Sequence, residues 1–119
     1  MHSDCTKNNC PVVTTLDMIG GKYKALILWH LVGGVRRFGE LRRLVPQATQ
    51  KMLTQQLREL EEDNLIIRTV YPVVPPKVEY RLSDLGMSIK PILDAMRSWG
   101  TEYMKSHGIA ASCFMMEDR

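Results

Sequence analysis

Five side chains near the middle of this sequence share one chemistry. Gln50, Lys51, Thr54, Gln55 and Arg58 can each donate a hydrogen bond, and none is acidic. Lys51, Thr54, Gln55 and Arg58 recur at i, i+3, i+4 and i+7, which lines up one face of a helix. Glutamine and arginine carry planar, two-pronged amides and guanidinium groups that match the edges of adenine and guanine in a major groove. Threonine and lysine suit phosphates or bases. The acids of this stretch, Glu59, Glu61, Glu62 and Asp63, gather at its C-terminal end. Helices that read bases usually present their N-terminal part, so the polarity agrees. A solvated amphipathic face of mixed sequence would show the same leucine spacing, so the surroundings matter.

Those surroundings are basic. Arg36, Arg37, Arg42 and Arg43 precede the face, where contacts to phosphates are expected. Arg68, Lys77 and Arg81 flank a tip stiffened by Pro72, Pro75 and Pro76. Such a tip can lie along a nucleic-acid backbone or in a minor groove. Each cation alone reads as a solvated charge; three adjoining basic elements carry more weight.

A second chemistry sits at Cys10. It precedes Pro11, a favoured first helical residue, which places the thiol at a helix N-cap. There the helix dipole and unpaired backbone N–H groups favour a thiolate, and Lys7 and Lys24 add positive charge. An exposed thiol of low pKa is what a redox or electrophile sensor requires. The plainer reading is a small, half-buried cap. Cys5 and Cys113 are the other thiols, and either could resolve a sulfenic acid on Cys10.

Several elements must position these groups. A first helix is expected over about 11–20, with Val12, Leu16 and Ile19 on one face and Gly20-Gly21 as its stop. Tyr23, Leu26, Ile27, His30 and Leu31 form the stripe of a second helix, ending at Gly33-Gly34. A third runs from Phe38 to Leu44, with Phe38, Leu41 and Val45 inward. Pro46-Gln47-Ala48 turns the chain, and Thr49 caps a fourth helix whose inner face is Leu53, Leu57 and Leu60. This helix ends near Asn64, which tolerates the left-handed conformation. The period then changes to two. Ile66–Tyr71 and Lys77–Leu82 are expected as a hairpin. Ser83 caps a long last helix over about 84–105, in which Pro91 should produce a kink or weaken one turn. The fold class is thus mainly α with a small β-hairpin: a winged helix-turn-helix with an N-terminal helix and a long C-terminal one. The organisation expected is an arm over 1–10, the domain over 11–107 and a tail over 108–119.

The last helix bears a seam of Ile92, Met96, Trp99 and Tyr103, longer than a core of this size needs. With Val12, Leu16 and Ile19 it is expected to meet a second copy, through helices at about 11–20 and 84–105. A two-fold dimer implies an inverted-repeat operator on double-stranded DNA. Its half-site centres would lie about 10 base pairs, or a multiple, apart. Met96, Trp99, Tyr103 and Met104 could also line a small-molecule pocket, though at this spacing such residues are more often plain core.

Bulk properties set bounds. The 119 residues suit one domain, and the net charge of +3 is compatible with nucleic acid without implying it. The first residues are polar, and no apolar run approaches the ~20 residues of a membrane helix, so a cytoplasmic protein without membrane association is expected. No Gly-rich phosphate loop, HExxH or Ser-His-Asp arrangement points to an enzyme, and no cofactor is implied. His2, Cys5, Cys10, His107 and Cys113 match no compact zinc spacing, so no metal site is expected. A winged helix used only for protein contact remains the main rival. The donor-only face argues against it, since such interfaces favour aromatic anchors.

The residues also resemble a known family. Cys10-Pro11, Leu16-Asp17-Met18-Ile19-Gly20-Gly21-Lys22-Tyr23-Lys24, Arg37-Phe38-Gly39-Glu40-Leu41, Gln50-Lys51-Met52-Leu53-Thr54-Gln55-Gln56-Leu57-Arg58-Glu59-Leu60-Glu61 and Val78-Glu79-Tyr80 are similar to the HxlR-type winged helix-turn-helix transcriptional regulators. The resemblance runs from about Cys10 to Tyr103. It implies a DNA-binding homodimer, held by its first and last helices, that represses or activates nearby genes. In that family a cysteine at the position of Cys10 is implicated in sensing oxidants, quinones or aldehydes. Tyr23 stands where Trp is commoner and Asn64 where Gly is commoner; both keep the physical role.

Overall fold

A computed structural model describes residues 10–110. The first nine residues and 111–119 lie outside it, and with them Cys5, Cys113, His2 and most of the expected arm and tail.

The chain runs α1 (Pro11–Ile19), α2 (Lys24–Val32), β1 (Arg36–Arg37), α3 (Phe38–Leu44), α4 (Gln50–Glu62), β2 (Ile66–Tyr71), β3 (Lys77–Leu82), α5 (Asp84–Met87) and α6 (Lys90–Ser106). Pro11 opens α1, where its missing N–H costs nothing, and Cys10 is the N-cap. Thr49 caps α4: its Oγ1 accepts the Met52 N–H at 3.1 Å. The end of α4 is closed by Asn64 at φ +64°, with the Leu65 N–H reaching back to the Leu60 carbonyl at 3.0 Å.

The second helix is more deeply buried than a one-faced stripe. Lys24, Ile27, Leu28, Trp29, His30 and Leu31 are all buried, Leu26 only partly, and Tyr23 precedes the helix as its N-cap. α2 packs against α1, α3, α4, α6 and β3, so few of its sides are left for solvent. Around it close Leu41, Val45, Leu53, Leu57, Leu60, Leu65, Ile66, Tyr80, Leu82, Ile89 and Leu93. Phe38 is only partly buried against this core.

The expected hairpin forms with its expected bounds, and one element is added to it: β1 makes a three-stranded antiparallel sheet in the order β1-β3-β2, with Arg36 opposite Tyr80 and Arg37 opposite Glu79. So short a strand has no periodicity of its own; only its partner across the sheet defines it. The last helix, expected as one piece over about 84–105, is two. Pro91 has no N–H to offer the Met87 carbonyl, and the preceding turn tightens: the Ile89 N–H bonds Gly86 and the Ile92 N–H bonds Ile89, both three residues back. Pro91 therefore sits in the first turn of α6 rather than kinking a longer helix.

α5 holds the wing to the end of α4. Ser83 Oγ donates to the Asn64 carbonyl at 2.6 Å and accepts the Gly86 N–H at 3.0 Å. Gly86 lies against the Leu65 carbonyl, where a Cβ would collide with backbone.

Candidate nucleic-acid interface

α4 turns its leucines into the core and leaves its other side open. Leu53, Leu57 and Leu60 are buried, while Gln50, Lys51, Thr54, Gln55 and Arg58 all reach solvent, as does the cap Thr49. The helix is docked by polar contacts as well as leucines. Gln56 Oε1 accepts the Tyr23 N–H at 3.1 Å, and the Tyr23 hydroxyl donates to the Gln47 carbonyl at 3.2 Å, tying the α3–α4 turn to the start of α2.

A third tether was not legible in the sequence. Lys24 is buried (6% exposed), and its ammonium meets Glu59 Oε1 at 2.8 Å. The other oxygen of the same carboxylate, Oε2, accepts from Gln55 Nε2 at 2.8 Å. The Gln55 amide foremost, and then the Lys24 ammonium, hold the Glu59 carboxyl below the ordinary carboxylate range. Glu59 thus belongs to the margin of the open face rather than to an acidic cluster clear of it. The only sequence signal was the i, i+4 spacing of Gln55 and Glu59.

The flanking cations divide by role. Arg42 and Arg43 in the last turn of α3, and Arg37 just before that helix, reach solvent. The Arg37 N–H is taken by the Glu40 carboxylate at 2.8 Å, which caps α3 and leaves the guanidinium outward. Arg36 is instead structural: its Nε donates to the His30 carbonyl at 3.2 Å. On the wing, Lys77 lies 4.8 Å from the Tyr71 ring centroid and 3.5 Å from Glu79. The Glu79 carboxylate raises the pKa of the Tyr71 hydroxyl. Arg68 and Arg58 line one cleft of about 310 Å3 with Thr54, Leu57, Glu61 and Tyr80, so the wing and α4 share a basic concavity.

The residues expected at a dimer contact fall into two groups. Val12, Leu16, Ile92, Met96, Trp99 and Tyr103 are exposed, Trp99 at 71%. Ile19 is not among them: at 7% exposed it belongs to the chain's own core, because the end of α1 turns inward onto α2. The sequence missed one neighbour. Trp99, Tyr103 and His107 stack in a ladder along α6, with centroids 5.4 and 4.1 Å apart.

Cys10 occupies the N-cap as expected, its carbonyl accepting the Thr14 N–H at 2.9 Å. The exposure expected of a reactive thiol is not met, since Cys10 is 3% exposed. Among the described residues no helix is long and apolar enough to cross a membrane.

A helix-turn-helix whose second helix is open on one side, backed by a small antiparallel wing, defines the winged-helix class of transcriptional regulators. Residues 18–108 match the HxlR-like helix-turn-helix family, and the chain belongs to it. It is 55% identical over 94 residues to the HTH-type transcriptional regulator YdeP of Bacillus subtilis, covering 79% of this chain and 73% of that one. The crystal structure of a putative HTH-type transcriptional regulator, ytcD, superposes with a TM-score of 0.78 at 55% identity, covering 81% of this chain and 98% of the other. The redox regulator HypR in its oxidised form superposes at 0.75 with 52% identity, covering 78% and 96%. The reduced form of the B. subtilis regulator YodB superposes at 0.68 with 32% identity, covering 79% and 93%. These relatives are transcriptional regulators, not enzymes.

Proposed function

We propose that the chain is a sequence-specific DNA-binding regulator acting as a homodimer on an inverted-repeat operator. The observation that carries this is the open face of α4. Gln50, Lys51, Thr54, Gln55 and Arg58 stand open to solvent on the second helix of the motif, with no acid among them. α4 would enter the major groove. Arg37, Arg42 and Arg43 would meet phosphates beside it, and Lys77 would follow the backbone from the wing. The exposed face of Val12, Leu16, Ile92, Met96, Trp99 and Tyr103 supports a second copy, because a monomer in water gains nothing from displaying it. The test is binding to duplexes with inverted repeats across a salt series. A steep fall in affinity with salt is expected, and an affinity indifferent to salt would favour a protein-contact module.

We further propose that Cys10 is a thiol switch, a reading supported by its helix N-cap and by one relative, HypR, described as a redox regulator. Oxidation by diamide removes two electrons and two protons from a pair of thiols, Cys10 with Cys5, Cys113 or a thiol of the second copy. Because the thiol is buried, the start of α1 must open first, so the reaction should be slower than that of an exposed cysteine. Cys10→Ser should bind DNA normally in reductant and keep binding after diamide; a variant that loses binding like the parent would exclude Cys10.

A further inference from the structure

The carboxylate of Glu59 is shared: Oε1 goes to the buried Lys24 ammonium, and Oε2 goes to the amide of Gln55. An ionised carboxylate only accepts, so the Gln55 group facing it must be the NH2. Chemistry therefore fixes the orientation of this amide, and turning it over would set oxygen against oxygen. One N–H of Gln55 is consumed; its Oε1 and its second N–H stay available on the open face. Glu59 itself is held still, because Lys24 is 6% exposed and cannot follow a wandering partner. The same ammonium offsets the negative charge that would otherwise repel a phosphate backbone beside α4.

Resting on the reading of α4 as the DNA-reading helix, we infer that Glu59, anchored by Lys24, is a positioning residue. It holds the Gln55 amide with Oε1 toward the groove, so that α4 selects a base presenting an amino donor, adenine N6 before cytosine N4. Adenine ranks first because its N7 also takes the remaining N–H. Guanine and thymine present acceptors where this oxygen would lie, and would be disfavoured.

Glu59→Gln tests the inference in an informative way. The new amide has one oxygen, which Lys24 claims, leaving its NH2 toward Gln55. Gln55 must then turn its own oxygen inward and its NH2 outward, presenting donors to the groove. The experiment measures competitive binding to an operator panel in which each base pair is replaced in turn, with thermal melting as a control. The parent should favour an amino-bearing base at one position by about tenfold. Glu59→Gln should lose or invert that preference while binding non-specific duplex at least as well. Gln55→Ala, at an exposed site that leaves folding intact, should abolish the same preference and make a second Glu59→Gln change silent on base preference. An unaltered preference profile in Glu59→Gln, or an unaltered profile in Gln55→Ala, overturns the inference while leaving DNA binding intact. A parent that favours no duplex sequence instead overturns the functional reading itself, and this inference falls with it.

Discussion

The outer faces of α4 and α6 are both open to solvent, yet they are opposite kinds of surface. On α4 the open residues include Gln50, Lys51, Thr54, Gln55 and Arg58, Met52 is the one large hydrophobic exposed on the helix, and Leu53, Leu57 and Leu60 are buried. On α6 the exposed residues include Ile92, Met96, Trp99 and Tyr103, and only Leu93 is deeply buried. Water satisfies the first surface and is poorly displaced by anything apolar; the second leaves apolar area in water at about 25 cal/mol per Å2. The first is suited to a charged, hydrogen-bonding partner such as DNA, and the second to another apolar face. The contrast also separates rigidity from availability. α4 is pinned by three leucines, Gln56 and the Lys24–Glu59 pair, so its open side chains stand on a fixed platform.

If α4 is the platform, its inner face should be the costliest place to cut. Leu60→Ala should destabilise the fold by about 2–5 kcal/mol in denaturant titration, because Leu60 is fully buried. Trp99→Ala should do little to the folded monomer, yet weaken the proposed dimer by about 2 kcal/mol or more, read by sedimentation. A fully dimeric Trp99→Ala protein would remove the basis for contrasting the two faces. Arg58→Ala should leave melting unchanged and lower operator affinity by about 1–3 kcal/mol, relaxing preference at one base pair. Lys51→Ala should weaken all duplexes alike and reduce the salt slope by about one. The smallest effect is one of pH. Glu59 titrates below the ordinary carboxylate range in the folded chain, so its contribution is complete above that range and lost as pH falls through the lowered value. Glu59→Gln should therefore show a flatter acid limb in a plot of melting temperature against pH.

The open face of α4 is almost wholly legible in the sequence. Thr49 as cap, the buried Leu53, Leu57 and Leu60, and the open Gln50, Lys51, Thr54, Gln55 and Arg58 all follow from a period of 3.6 within a single helix. The α6 face is half legible. Its seam is visible, but its separation from α5 depends on how the turn before Pro91 closes, and Ile19 cannot be told from Val12 and Leu16 by spacing.

What the sequence determined by itself was therefore local: helices α1, α3 and α4, strands β2 and β3, the left-handed Asn64 and the donor face. Each is written in neighbouring residues through periodicity, capping and turn chemistry, whose energetics reach only a few positions along the chain. The tertiary structure alone decided the pairing of Arg36 and Arg37 with β3, the burial of Cys10 and Ile19, and the reach of Lys24 to Glu59 and on to Gln55. Most of these join residues far apart in sequence, and no local preference distinguishes a lysine that will be solvated from one that folding closes over. The open face of α4 was spelled out in its own residues; the pair that braces it was settled by where α2 comes to rest.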